Sequence, residues 1–329
     1  MLPIAFFTPN VALRIWTIIN IGVIVIGVIL SSRISGKDWL WTCLLLLGSG
    51  IALVNNFRFG QFYLMLTSLI LFGYYFWRQR KYVPSGIMLG IGAALKYFPL
   101  IFLPLFMMRK QWKLVITCSL TVLTIYSIGL LVFGVETYKQ FFVSVFAEHL
   151  SGNIQDPFSA ALQSWNSLFH RLFMYDATLN PFPVFNSVAT YQIARYSVYL
   201  TIFIVVCQNV YRLNKVPEND TSVFQFSLVS IAGMVLLPAS ATYHFLLLFI
   251  PLTLLLSREG SWNIWQRSLV GCYLIIAFLP YRFFRTFDGQ GWWTIVAYPR
   301  LWAMTLMFVA ACFYTRNVSQ NMLRTEKTS

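Results

Sequence analysis

The chain has 329 residues, of which 58% are hydrophobic and only 10% charged, and it carries a net charge of +14. Soluble domains carry about 25% charged residues, so this chain lacks the polar surface to remain in water. Its basic residues stand at the ends of apolar runs, as topology signals do, and not along a phosphate-tracking groove; the reading is therefore contact with membrane lipids and no nucleic-acid partner.

In chain order, nine apolar runs are expected to cross a membrane as helices: roughly 12–31, 38–54, 61–77, 113–134, 194–211, 223–238, 241–257, 267–280 and 299–315. A strand barrel would show short alternating segments instead, and none is found. The fold class expected is an all-α polytopic transmembrane helix bundle, one integral membrane domain over 1–329.

A tenth apolar stretch, about 83–108, has Lys96 near its middle and basic residues on both flanks: Arg78, Arg80 and Lys81 before it, Arg109, Lys110 and Lys113 after it. Pro99 disfavours helix in the residue before it and removes a donor, which places a break at Lys96-Tyr97-Phe98-Pro99. If the stretch crossed once, the Lys/Arg residues would divide eleven against twelve between the two sides. If it returns to the side it left, fifteen lie inside and eight outside, with Lys96 between. Only the second arrangement obeys the positive-inside rule, so a re-entrant hairpin is expected. At its tip Lys96 either snorkels or pairs with a carbonyl, or it faces a wet cavity as an anion site. The second reading is preferred, with a lipid phosphate as the simplest ligand.

This topology makes residues 135–193 one long extracytoplasmic loop holding Glu136, Glu148, His149, Asp156, His170, Arg171 and Asp176. Further outer elements are NNFRFGQ (55–61), LLPASATYHF (236–245) and YRFFRTFDGQGWW (281–293), so chemistry is expected on the outer side. The five cysteines lie singly in apolar runs and the three histidines are separated, which gives neither a disulfide frame nor a metal-ligand pattern. No metal or cofactor is expected. The first span must begin outside with nothing ahead of it to carry it there, so a leading span before Met1 is expected.

The run from Asn55 to Lys113 resembles the middle of glycosyltransferase family 87, the polyprenol-phosphate-sugar-dependent mannosyl- and arabinofuranosyltransferases of the C-type superfamily. The resemblance rests on Gly60-Gln61 at a span entrance, on the small-residue helix Gly86, Gly90, Gly92, on Leu95-Lys96 ahead of Pro99, and on the basic turn with Trp112. SWNSLFHRLF (164–173) is similar to the family's outer-loop Asn-Ser-Leu…Arg-Leu element, and LLPASATYHF to its proline-serine…histidine element. The likeness covers most of residues 1–260. Members usually begin with a span and an outer loop bearing an aspartate that serves as base; here the opening residues resemble the segment after that loop. The resemblance implies a late start or a natural truncation.

What it implies for function is transfer of a mannose- or arabinofuranose-like sugar, with inversion, from a polyprenyl-phosphate donor to a lipid or glycan acceptor on the outer face of a bacterial-type plasma membrane. Donor phosphate and sugar would be held by Lys96, Arg58, Gln61, Asn166 and Arg171. Glu148, Asp156 and His244 are the catalytic candidates, with Asp288 a further outer carboxylate. Each of these also has a plainer reading, the carboxylates as solvated loop charges, Asn166 as part of a helix cap, His244 as a loop-fixing hydrogen bond. Two rival functions are a transporter or flippase for a lipid-linked sugar and an inactive shortened relative. Against the transporter stand the lack of an internal repeat and the absence of acidic residues from the interior of every expected span.

Overall fold

The computed structural model describes residues 6–148, 156–215, 218–257 and 262–328. Among them there is no strand, only an isolated bridge between Asp176 and Asn180. The helices are α1 (Pro9–Ser35), α2 (Trp39–Leu47), α3 (Ile51–Arg58), α4 (Tyr63–Arg78), α5 (Tyr82–Leu95), α6 (Leu103–Met108), α7 (Trp112–Phe133), α8 (Val135–Gln140), α9 (Trp165–Phe173), α10 (Val188–Leu213), α11 (Glu218–Leu236), α12 (Phe249–Leu255), α13 (Ile264–Phe278) and α14 (Pro299–Thr328).

Four of these, α1, α7, α10 and α14, are long and apolar enough to cross a membrane, and the number rises to six if each bent pair is one span. The pairs are α2–α3, bent by 76° at the glycines Gly48 and Gly50, and α13 with the 3-10 turn Tyr281–Phe287, bent by 77° after Pro280. Of the remaining expected spans, 223–238 lies in the 19-residue α11 up to Leu236. Residues 61–77 form the 16-residue α4, and 241–257 form a 3-10 turn (Thr242–Leu248) followed by the seven-residue α12. Hydropathy alone does not register such breaks, because turn and helix have the same apolar composition. The 135–193 segment is likewise more structured than a loop, with α8, a π-turn at Phe141–Phe146, and α9, and α10 begins within it at Val188.

The 83–108 stretch does reverse. α5 runs antiparallel to α4, since the Ser85 hydroxyl donates to the Gly73 carbonyl (2.7 Å) while Gly92 faces Leu66 and Leu69. α7 runs parallel to α5: Gly86 meets Thr117, and Gly90 meets Thr121 one turn on. Between them the 3-10 turn Phe98–Phe102 and α6 carry the chain back. Cβ atoms on Gly86 and Gly90 would stand 2.7 and 2.6 Å from the Cβ atoms of Thr117 and Thr121, so the small-residue face serves close helix packing. At about 1.5 Å per residue the 14-residue α5 rises about 21 Å. That is short of a hydrocarbon core about 30 Å thick, as a re-entrant helix should be.

The core centres on α11, whose side chains from Thr221 to Val235 are buried apart from Val223, whatever face they occupy. Phe226 stacks on Phe102 of the hairpin at 4.0 Å, and Phe224 meets Tyr314 of α14 edge-on. A helix apolar all round belongs at the centre of a bundle. α7, in contrast, presents Ile116, Leu120, Leu123 and Leu131 outward, where lipid is the natural solvent.

Candidate active site

The hairpin tip is built by a helix stop. Lys96 takes an extended conformation (φ −151°, ψ 127°) while its N–H still bonds the Gly92 carbonyl at 2.9 Å. Tyr97 and Pro99 then turn the chain, and Pro99 packs against Gly92, where an added Cβ would sit 3.2 Å from the proline ring.

The tip opens into a cavity of about 330 Å³. Its walls come from five places: the start of α4 (Gln61, Tyr63), the tip (Ala93–Phe98), the α7–π-turn wall (Tyr126, Phe141, Val145, Phe146), Leu162 ahead of α9, and the 237–247 segment (Ala241, Tyr243, His244). Three residues far apart in sequence, Gln61, Lys96 and His244, thus share one chamber.

The Lys96 ammonium lies over the ring of Tyr63 at 5.6 Å. Among the described residues no carboxylate lines the cavity, and the cation faces aromatic surface. His244 Nδ1 accepts a hydrogen bond from the Ala241 N–H at 3.0 Å, which leaves the proton of the neutral ring on Nε2. The ring is held edge-on by Tyr63 (4.6 Å) and Tyr243 (4.9 Å). A cation, an amide and an imidazole in a tyrosine-lined chamber without an acidic residue are complementary to an anion.

The remaining sequence candidates lie elsewhere. Arg58 is exposed, its guanidinium over Phe59 at 5.5 Å, outside the cavity lining. Asn166 is buried, accepting a hydrogen bond from the Tyr191 hydroxyl (2.6 Å) while its carbonyl meets His170 Nδ1 at 3.1 Å. Ser164 caps α9 by accepting from the Ser167 N–H at 3.2 Å, and Ser167 bonds the Ser159 carbonyl and the Tyr298 hydroxyl. The Asn-Ser-Leu element therefore braces the 135–193 segment. Arg171 grips Asp288 with two nitrogens, Nε to Oδ1 at 3.0 Å and Nη2 to Oδ2 at 3.1 Å, and also donates to the Leu179 carbonyl. Burial pushes the Asp288 carboxyl above the ordinary range, against the pull of Arg171 and Arg285. Asp156 is half-buried and accepts from the Phe158 N–H at 2.9 Å. Glu148 is exposed, two residues beyond the cavity residue Phe146. His149 lies outside the described residues.

The model of glycosyltransferase family 87 matches residues 1–238. The chain belongs to glycosyltransferase family 87. No curated protein and no solved structure matches it. Family 87 membership gives a membrane glycosyltransferase, which uses a sugar donor and an acceptor. The match includes Gln61, Tyr63 and the whole hairpin, while Tyr243 and His244 fall just beyond it.

Sequence reasoning missed the tyrosines of the chamber and Arg300. Tyr63, Tyr97, Tyr126 and Tyr243 look like ordinary interfacial aromatics in a chain with 17 tyrosines. Arg300 is buried; its guanidinium donates to the Thr242 hydroxyl at 3.3 Å and lies over Phe245 and Tyr281. It braces the turn that carries His244. A buried arginine at a helix start has the same sequence signature as an interfacial one.

Proposed function

We propose that the chain transfers a mannose- or arabinofuranose-like sugar from a polyprenyl-phosphate carrier to a lipid or glycan acceptor, on the outer side of a bacterial-type plasma membrane. The observation that carries this reading is the convergence of Lys96, Gln61 and His244 on a chamber at the hairpin tip with no carboxylate among the described residues of its lining. A phosphate leaving group needs such surroundings: its charge grows as the bond to the sugar breaks, and preset donors lower the cost of that charge.

The reaction is a displacement at the anomeric carbon. The acceptor oxygen forms a bond to it, the bond to the phosphate oxygen breaks with its electron pair, and polyprenyl phosphate departs as the anion. Lys96 and the Nε2 proton of His244 serve that anion, and the Gln61 amide serves a sugar hydroxyl or a phosphate oxygen. With Nδ1 engaged by Ala241, His244 acts as a donor at Nε2 and not as the base. The acceptor proton goes to an outer carboxylate. Glu148, exposed and next in the chain to the cavity-lining segment, is the first choice and Asp156 the second; Asp288 is committed to Arg171.

The aromatic wall Tyr126, Phe141 and Phe146 gives the polyprenyl chain an apolar path from the chamber into lipid. Sugar transfer by purified full-length protein, supplied with polyprenyl-phosphate mannose or arabinofuranose and a membrane-lipid extract as acceptor, tests the proposal. A wild-type protein that transfers neither sugar, or a Lys96→Met variant that transfers as well as wild type, overturns it.

A further inference from the structure

A second site lies away from this chamber. Residues of α10 and α14 line a groove of about 620 Å³, with a connected cleft of about 300 Å³ at one end. Asn209, Arg212 and Arg316 line both, so the two are one continuous feature. The larger part has apolar walls, chiefly Ile202, Val205, Phe308, Val309 and Phe313, and Trp165 closes its far end. The smaller part carries three exposed cations, Arg212, Lys215 and Arg316, over the buried polar groups of Thr315 and Ser319. Among the described residues no carboxylate lines either part, and none of the three cations forms an ion pair.

The position fits these chemistries together. The cationic mouth is on the same face as the turns at Arg80 and Lys110: Phe224 at the start of α11 meets Tyr314 of α14, and the Arg109 guanidinium donates to Thr221 of α11 at 3.0 Å. From Ser197 to Arg212 the wall of α10 rises about 22 Å. One leaflet of a core about 30 Å thick needs about 15 Å, so the groove is deep enough for a whole acyl chain. We infer that this groove holds an anionic phospholipid of the leaflet on the basic face, with one acyl chain between α10 and α14 and its phosphate at Arg212, Lys215 and Arg316. Anionic lipids concentrate in the cytoplasmic leaflet, where the positive-inside rule places these cations. The inference is independent of the sugar-transfer reading, since the two sites share no lining residue.

Native mass spectrometry of the full chain, with dioleoyl phosphatidylglycerol and dioleoyl phosphatidylcholine supplied in equal amounts, tests it. One phosphatidylglycerol should be retained preferentially. Removing cations should weaken that retention about five-fold each, so Arg212→Gln with Arg316→Gln should weaken it about 25-fold. Val205→Trp, which fills the groove and leaves the cations in place, should weaken it as well. Equal retention of the two lipids overturns the inference, as does a double variant that keeps its phosphatidylglycerol. Retention unchanged by Val205→Trp removes the acyl seat and overturns it too. So does a dimer cross-linked between cysteines placed at Ile202 and Phe308, which would show that protein occupies the groove.

Discussion

Trp77 donates its indole N–H to the Gln111 side-chain oxygen over 2.5 Å, and the Arg109 guanidinium lies over the same indole at 5.2 Å. Trp77 stands in the last turn of α4 and Gln111 precedes α7, so this contact ties the two turns that bracket the hairpin. Arg80 and Lys110 both take left-handed conformations (φ 59° and 56°), and each turn closes with the same pair of backbone hydrogen bonds, Arg80 to Trp77 with Lys81 to Phe76, and Lys110 to Met107 with Gln111 to Phe106. Single cysteines at Arg80 and Lys110, in a background without the native cysteines, should therefore react with a membrane-impermeant maleimide from the same side. Labelling from opposite sides would contradict the hairpin.

Lys96→Met removes the only lysine or arginine among the described residues of the chamber. Loss of one preset donor to a developing anion costs about 10²–10³ in kcat, so transfer should fall by that factor. Expression and melting temperature should stay near wild type, because the ammonium contacts a ring face and no buried acid. A single-turnover assay separates the chemical step from donor binding.

Gly90→Val forces a side chain into the α5–α7 contact, where even a Cβ meets Thr121 at 2.6 Å and the Cys118 carbonyl at 2.9 Å. Overpacking of this kind costs about 1–3 kcal/mol. Gly271, with nothing within 4 Å of its added Cβ, is the control: Gly271→Ala should stay within about 1 kcal/mol of wild type. Thermal unfolding in detergent reads both.

Arg171→Ala strands Asp288, which is only 14% exposed, and also removes the donor to the Leu179 carbonyl. The expected cost is about 1.5–3 kcal/mol, the range for hydrogen bonds to charged groups. Asp288→Asn should cost less, because it leaves a neutral amide and not a buried charge. Equal melting temperatures for the two variants would argue against the pair as a brace of the outer segment.

His170 gives a pH dependence. Its ring is buried between Phe158 and Tyr191 with Nδ1 on the Asn166 carbonyl; burial lowers its pKa, and the nearby Arg195 lowers it further. The folded state therefore prefers the neutral ring, so stability is full above the unfolded pKa of about 6.5 and is lost as pH falls towards the lower folded value. Asp288 acts in the opposite sense, gaining folded-state protonation as pH falls through its raised pKa. The difference in melting temperature between wild type and His170→Asn, followed from neutral to mildly acidic pH, isolates the histidine. Wild type should lose more.

The hairpin was legible because its cause is carried by local residues: a proline three positions after a lysine, and basic clusters whose two possible sidedness patterns differ in count. The pairing of Gly86 and Gly90 with a neighbour was legible in kind, though not in partner. The bends at Gly48–Gly50 and Pro280 were not, since a run stays apolar through a break and only packing fixes where it turns. Lys96, Gln61 and His244 were each marked by type and position, and the fold brings them together. Asn166 and Arg171 carried equally suggestive types but are taken up by Tyr191, His170 and Asp288, partners 4 to 117 residues away that no local pattern encodes.

A segment that departs from and returns to one side leaves the parity of the thread unchanged. Because Trp77 and Gln111 already meet, Lys81 could be joined directly to Trp112 and every later helix would keep its direction. The cation of the chamber is thus borne on an excursion that fills the core without turning the chain over, and the bundle's orientation in the membrane is set by its other helices.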